Sequence, residues 1–109
     1  ATGTSLALTG GGISMATAGQ GVSIKEGSNA KMGQATLVAG TVTISNTSVS
    51  SASRFKLTPR AINGSTALGR LAVTSVATST GFVVESLDAA AALETDDTSI
   101  FDWEITEAL

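Results

Sequence analysis

Apolar and polar residues alternate along several short segments of this chain, a pattern typical of strands with one face in a core and one in solvent. The clearest alternation runs over residues 99–106. One face carries Phe101, Trp103 and Ile105, and the other carries Asp102 and Glu104. The single Trp of the chain lies there, so we predict that this strand anchors the core and that Trp103 is buried.

Residues 35–45 give the next clearest strand signal, with Val42 and Ile44 on one face. The alternation breaks around Gly40, which predicts a bend or a bulge at that point. Residues 46–53 are rich in Ser, Thr and Asn and predict a turn region. Asn63-Gly64 predicts a second, tighter turn further along the chain.

Residues 54–58 predict a half-exposed strand with Phe55 and Leu57 turned inward. Pro59 has no N–H group to donate to a neighbouring strand. We therefore expect this strand either to end at Pro59 or to lie at the edge of a sheet.

Two further strands are predicted at residues 68–76 and 81–87. In the earlier of the two, three apolar side chains are expected to be buried: Leu71, Val73 and Val76. The segment Asp88–Leu93 has helical propensity but is too short for a stable helix. It predicts a surface loop with one helical turn.

Residues 1–29 form a Gly-rich leader with almost no charge. Three short alternating pieces stand out in it, each with two apolar side chains: Leu6 and Leu8, Ile13 and Met15, Val22 and Ile24. Strands this short do not make a stable sheet alone. The leader therefore either interweaves with the leaders of neighbouring subunits, as in a triple-stranded β-prism, or is a flexible linker.

Short strands separated by turns at intervals of about ten residues are typical of a sandwich rather than of alternating strands and helices. We predict an all-β fold, an antiparallel jelly-roll-like β-sandwich over residues 30–109 that follows the leader at 1–29. Aromatic residues make up only 4% of the chain, and it has no cysteine for a disulfide. A small aliphatic core of this kind favours subunit association, and we expect a homotrimer.

The absence of histidine and cysteine removes most schemes for acid–base, nucleophilic and transition-metal chemistry near neutral pH. We expect no enzyme activity, and no catalytic, cofactor-binding or metal-binding residue. The net charge is −3 and no basic stripe is present, which argues against nucleic-acid binding. Since no apolar stretch approaches the roughly 20 residues that span a bilayer, membrane insertion is not expected.

The charges are segregated along the chain. All six basic residues lie between Lys25 and Arg70, and eight of the nine acidic residues lie between Glu85 and Glu107. Opposite charges could pair across the sandwich, between subunits or across a lattice of copies. Alternatively, they could simply solvate strand faces and protect sheet edges from aggregation.

Three groups of residues are candidates for a metal, catalytic or glycosylation site. Glu94 with Asp96-Asp97-Thr98 could bind Ca²⁺ through oxygen atoms, but acidic turns before strands are common without metal. Asp102 and Glu104 are spaced like paired glycosidase carboxylates, yet they face outward without aromatic side chains for sugar stacking. Asn46 and Asn63 begin glycosylation patterns, but no signal peptide is visible, which favours turns over glycosylation sites.

Several stretches resemble a recurring β-domain of tailed-phage virion proteins: KEGSNAKMG (25–33), ATLVAGTVTISNTSV (35–49), SRFKLT (53–58) and TSIFDW (98–103). The domain is similar to modules at the C-terminal ends of phage tail-fibre and tailspike chains and among small virion-associated proteins. The resemblance implies an all-β, trimeric virion domain without catalytic residues of its own.

The favoured hypothesis is a trimeric capsid-decoration (cement) or head-fibre protein, because the chain comprises only the module and a short leader. The alternative is the C-terminal trimerisation or receptor-contact domain of a tail fibre or tailspike, and a carbohydrate-binding module is a third reading. The expected partners are further copies of the chain, other virion proteins and a host surface glycan. The expected location is the virion, assembled in the cytoplasm of the bacterial host.

Overall fold

The computed structural model describes residues 6–64 and 69–109. Within them the chain forms strands and turns but no helix. Six strands follow one another along the chain: β1 (Met32–Thr36), β2 (Thr41–Ser45), β3 (Ser53–Ala61), β4 (Arg70–Ala77), β5 (Gly81–Leu87) and β6 (Ile100–Glu107).

The strands form two antiparallel sheets of three strands each. The first sheet has the order β1-β6-β3 and the second has the order β2-β5-β4. The first strand of the chain pairs with the last, and the second strand pairs with the last but one. This nested order is that of a jelly roll, with six strands in place of the usual eight. The predicted all-β sandwich is therefore confirmed.

The inner faces of the two sheets meet through aromatic side chains. Phe82 of the second sheet lies 4.6 Å from Phe55 and 5.5 Å from Trp103 between ring centroids, and both of those residues belong to the first sheet. Trp103 is only 7% exposed, as the alternation predicted. The buried core consists of Leu37, Val49, Phe82, Val84, Phe101, Trp103 and Ile105.

The segment predicted as one bent strand at residues 35–45 is instead divided between β1 and β2, which lie in different sheets. The chain crosses between the sheets through Ala39 and Gly40, whose φ angles are 51° and 81°. A Cβ atom at Gly40 would overlap the backbone carbonyl of Glu94. The broken alternation therefore marked a change of sheet, which requires glycine at position 40.

Strand β3 lies at the edge of the first sheet, as Pro59 suggested, but it continues through Pro59 to Ala61 with a register shift between those two residues. Strand β4 is the matching edge of the second sheet, and the predicted start of this strand at Leu68 lies outside the described residues. Val76 pairs with Phe82 but remains 49% exposed, so the expectation that it is buried was wrong. An edge strand has a neighbour on one side only, which leaves such a side chain partly uncovered.

The loop after β5 contains no helical turn, contrary to the prediction for Asp88–Leu93. The Asp88 carboxylate accepts the backbone N–H groups of Ala90 and Ala92 at 2.8 and 2.9 Å. The backbone N–H of Asp88 donates to the carbonyl of Ala92 at 2.8 Å. Because an Asp side chain bonded in this way offers the backbone an alternative to helical hydrogen bonds, the segment closes as a turn.

Residues 6–29 lie outside the sandwich. Each of them is exposed, and none belongs to a strand. The predicted pairing of the leader with neighbouring subunits stays a prediction. In the part of the chain that is described, no helix long and apolar enough to cross a membrane occurs.

Candidate functional site

The outer face of the first sheet carries a groove of about 390 Å³. It forms because the alternate residues of β1, β6 and β3 that do not enter the core point to this side. Strand β3 contributes basic side chains to the groove, and the central strand β6 contributes acidic ones. Its polar lining consists of Glu26, Gln34, Lys56, Thr58, Arg60, Asp102 and Glu104.

Asp102 is the centre of the hydrogen bonding in this groove. The Nε atom of Arg60 donates to both Asp102 carboxylate oxygens, at 3.0 and 3.1 Å, and Gln34 is the cross-strand partner of Asp102 on β1. The hydrogen bond from Arg60 is the main cause that lowers the pKa of Asp102 below its ordinary value. The same bond raises the pKa of Arg60.

The segregated charges pair between neighbouring strands of one sheet, rather than across the sandwich. Lys56 and Glu104 are direct cross-strand partners, and their charged atoms lie 3.8 Å apart. This pair and the Arg60–Asp102 pair each join a basic residue from the earlier part of the chain to an acidic residue from its later part. This neutralises the strand faces, although exposed pairs of this kind contribute little to stability.

Asp102 and Glu104, considered above as a glycosidase pair, face the groove together. A general acid near neutral pH needs a carboxyl whose pKa is raised. The pKa of Asp102 is lowered instead, and Glu104 is paired with Lys56. The arrangement suits hydrogen bonding to a ligand better than proton transfer.

A second groove, about 430 Å³ in volume, opens between the edge strands β3 and β4, and its lining includes Ser53 and Arg54. Four apolar side chains of the inner faces line it and are half-buried: Phe55, Leu57, Leu71 and Val73. On the opposite side of the sandwich, β1 and β2 are joined by the short crossing at residues 37–40. The four side chains therefore lie along the β3 and β4 edges of the two sheets.

Asn46 connects the end of the leader to the sandwich, a role that the sequence analysis missed. Its side chain is only 1% exposed. Its Nδ2 donates to the carbonyl of Ala30 at 2.6 Å, and its Oδ1 accepts hydrogen bonds from the backbone N–H and the hydroxyl of Ser48. A buried Asn bonded in this way cannot accept a glycan, so its glycosylation pattern is a structural turn.

Lys31 makes a second connection at the same place. Its Nζ donates to the carbonyl of Ser48 at 2.8 Å and to the Glu107 carboxylate at 2.7 Å. The hydrogen bond from Lys31 is the main cause that lowers the pKa of Glu107, and hydroxyl groups of Ser53 and Ser50 assist. These bonds hold the start of β1, the loop after β2 and the end of β6 together.

Asp97, a member of the possible Ca²⁺ group, is 2% exposed and turned into the protein. Its two oxygens accept hydrogen bonds from the Ser86 hydroxyl at 2.5 Å and the Ser99 backbone N–H at 2.9 Å. Burial raises the pKa of Asp97, but the hydrogen bonds from Ser86 and Ser99 outweigh it and lower the pKa overall. The Asp97 oxygens are therefore used in hydrogen bonds within the protein.

The other candidate residues are dispersed. Across residues 6–64 and 69–109, no group of three or more acidic side chains is placed to hold a metal ion. The backbone carbonyl of Asn63 accepts hydrogen bonds from the backbone N–H of Thr98 and the hydroxyl of Ser99. Ser65, which completes its glycosylation pattern, lies outside the described residues.

Comparison with protein families gives one match. Residues 29–106 match the model of the K1 capsule-specific polysaccharide lyase C-terminal domain, a domain associated with phage tailspikes. The matched range contains β1 to β5 and all of β6 except its last residue, and it begins at Asn29, whose side chain accepts the backbone N–H of Thr47 at 2.9 Å. Searches of curated proteins and of solved structures found no match.

Proposed function

The chain belongs to the family of the K1 capsule-specific polysaccharide lyase C-terminal domain, and on that premise we propose that it is a non-catalytic structural domain of a phage tail fibre or tailspike. The observation that carries this proposal is the extent of the match, which covers the sandwich except for the last residue of β6. The family favours a tail location over the capsid-decoration role that the sequence analysis preferred. The proposed location is accordingly the tail of the virion.

The proposed role is structural: three copies of the chain associate into one trimeric unit. Two features support association. The leader exposes apolar side chains that include Leu6, Ile13 and Val22, which are 70–72% exposed. The groove between β3 and β4 contains half-buried apolar residues of two edge strands. Unpaired edges and uncovered apolar side chains are the features that subunit contacts cover.

The lyase that gives the family its name acts on a K1 capsule polysaccharide. For this chain we propose attachment rather than cleavage. Glu104 and Asp102 of the polar groove are paired with Lys56 and Arg60, and the pKa of Asp102 is lowered. Neither feature suits a catalytic acid.

Light scattering on the full chain at micromolar concentration tests the association. The expected mass is about three times the monomer mass of 10.8 kDa. A monomer that unfolds cooperatively would overturn the trimer. Gold-labelled antibody against the chain, viewed on phage particles by electron microscopy, tests the location, and label on the capsid in place of the tail would restore the decoration hypothesis.

A further inference from the structure

The polar groove on the first sheet has the dimensions of a ligand site. Its volume of about 390 Å³ lies within the range of roughly 300–1,000 Å³ that small-molecule pockets occupy. It lies on β1, β6 and β3, which are held in register by cross-strand pairing. Apart from Glu26 of the leader, the side chains that a ligand would meet there project from the strands of the sheet.

Donors and acceptors alternate along this groove. Acceptor carboxylates stand at Asp102 and Glu104, and donor groups stand beside them at Gln34, Lys56 and Arg60. Arg60 meets Asp102 through Nε, so the terminal N–H groups of its guanidinium extend beyond that contact. A hydroxyl group both donates and accepts one hydrogen bond, so a row of neighbouring hydroxyls matches this alternation.

The groove also has an apolar part. Met32 lines it, half-buried, and is the cross-strand partner of Glu104. Sugar rings present hydroxyl groups at their edges and C–H groups on their faces. A saccharide could therefore bond the charged pairs through its hydroxyls while a ring face contacts the Met32 side chain.

The charge of the groove selects between neutral and acidic sugars. The carboxylates of Asp102 and Glu104 on the sheet and of Glu26 in the leader outnumber the cations of Lys56 and Arg60. Both cations are already paired with carboxylates of the sheet. An anionic sugar would meet this excess of negative charge, whereas an uncharged sugar adds hydrogen bonds without breaking either pair.

We propose that this groove binds uncharged, hydroxyl-rich units of a polysaccharide, with Arg60, Asp102 and Gln34 as the main hydrogen-bonding residues. The inference names a ligand class for the proposed tail domain and rests on that function only for its biological setting. Few aromatic side chains are present for stacking, so a single groove binds weakly. Three copies in a trimer would raise the avidity by a factor of about 10²–10⁴ on a repetitive polymer.

Chemical-shift mapping by NMR on the full ¹⁵N-labelled chain tests the proposal with maltotriose, cellotriose and trigalacturonate at millimolar concentration. The two neutral sugars should shift amide signals of β1, β3 and β6 around the groove, and trigalacturonate should shift them less. Absence of shifts with both neutral sugars, shifts centred elsewhere, or preference for trigalacturonate would each overturn the proposal.

Substitutions then test the residues. Arg60→Ala and Gln34→Ala should each reduce the shifts at least threefold, while Arg70→Ala, which removes an exposed arginine from β4 in the other sheet, should leave them unchanged. Equal effects of Arg60→Ala and Arg70→Ala would contradict the assignment. The groove lies within one chain, so the two proposals fail separately. A trimer that binds no sugar would refute the sugar site alone. A monomer that binds sugar would refute only the trimer.

Discussion

Gly33 and Trp103 are cross-strand partners in the first sheet, and the indole ring of Trp103 occupies the space where a side chain at position 33 would stand. A Cβ atom at Gly33 would lie 2.8 Å from Cζ2 and 3.0 Å from Cε2 of the indole. Real contacts of this kind are longer, so one of the two groups would have to move. The position of the largest side chain in the core therefore depends on glycine in the neighbouring strand.

Gly33→Ala should destabilise the fold by about 1–3 kcal/mol, because an added methyl group forces the indole out of its packed position. Urea unfolding followed by Trp fluorescence measures this change. Gly12→Ala is the matched control, since a Cβ at Gly12 meets nothing within 4 Å. Equal stability of the two variants would show that the indole adjusts without cost.

Trp103→Ala should cost about 3–5 kcal/mol, enough to unfold a marginal domain, because the ring packs against Phe82 in the buried core. Ile62→Ala, at a side chain that is 65% exposed, serves as the control and should change stability little. In the native protein, acrylamide should quench the Trp fluorescence weakly. Full quenching would contradict the burial of Trp103.

The buried carboxylate of Asp97 should make the free energy of unfolding decrease at acidic pH. Its pKa in the folded state lies below the ordinary value of 3.8, so the stabilisation is fully present above that value and is lost as pH falls through the folded-state pKa. Asp97→Asn should therefore lower the free energy of unfolding at neutral pH by about 1–3 kcal/mol. The difference from wild type should shrink in acid.

Urea unfolding at a series of pH values measures this difference. Glu85→Gln on β5 provides a control with the same change of charge. A gap between Asp97→Asn and wild type that stays constant down to the lowest pH would contradict the assignment of charged Asp97 to the network with Ser86 and Ser99.

Deletion of residues 1–20 should leave a folded β-domain, because the described residues of that segment belong to no strand and are exposed. Circular dichroism should retain its β signal. Light scattering should show loss or weakening of the trimer, since the apolar pieces of the leader would no longer be available to pair between subunits.

A truncated chain that still forms trimers would instead place the subunit contact on the sandwich. The groove between β3 and β4 is the next surface to test. Leu57→Asp, which puts a charge into that groove, should then dissociate the trimer, and Thr43→Asp on the exposed face of β2 is its control.

Asn46 illustrates what local pattern could not predict. Its place among Ser and Thr residues is typical of a turn, and that much was predicted. Its burial depends on Ala30, 16 residues earlier in the chain, whose carbonyl accepts its Nδ2. Asp97, in the loop before β6, is similar, since its partner Ser86 lies 11 residues away on β5.

The sequence by itself determined the class of fold and most of the strands. Alternation reports which side chains share a face, and Gly, Pro and Asn report where the chain turns, because both effects act over a few neighbouring residues. The burial of Trp103 and the edge position of β3 followed from such local signals. The change of sheet at Gly40 appears in the sequence only as a break in the alternation, which predicted a bend or a bulge.

Only the tertiary structure decided which strands pair and which side chains this pairing brings together. The pairing of β1 with β6 brings Gly33 against Trp103, and the pairing of β3 with β6 brings Arg60 to Asp102. These contacts join residues more than 40 positions apart. No local period encodes such a contact, since it depends on the chain closing long loops so that both sheets can bury their apolar faces together.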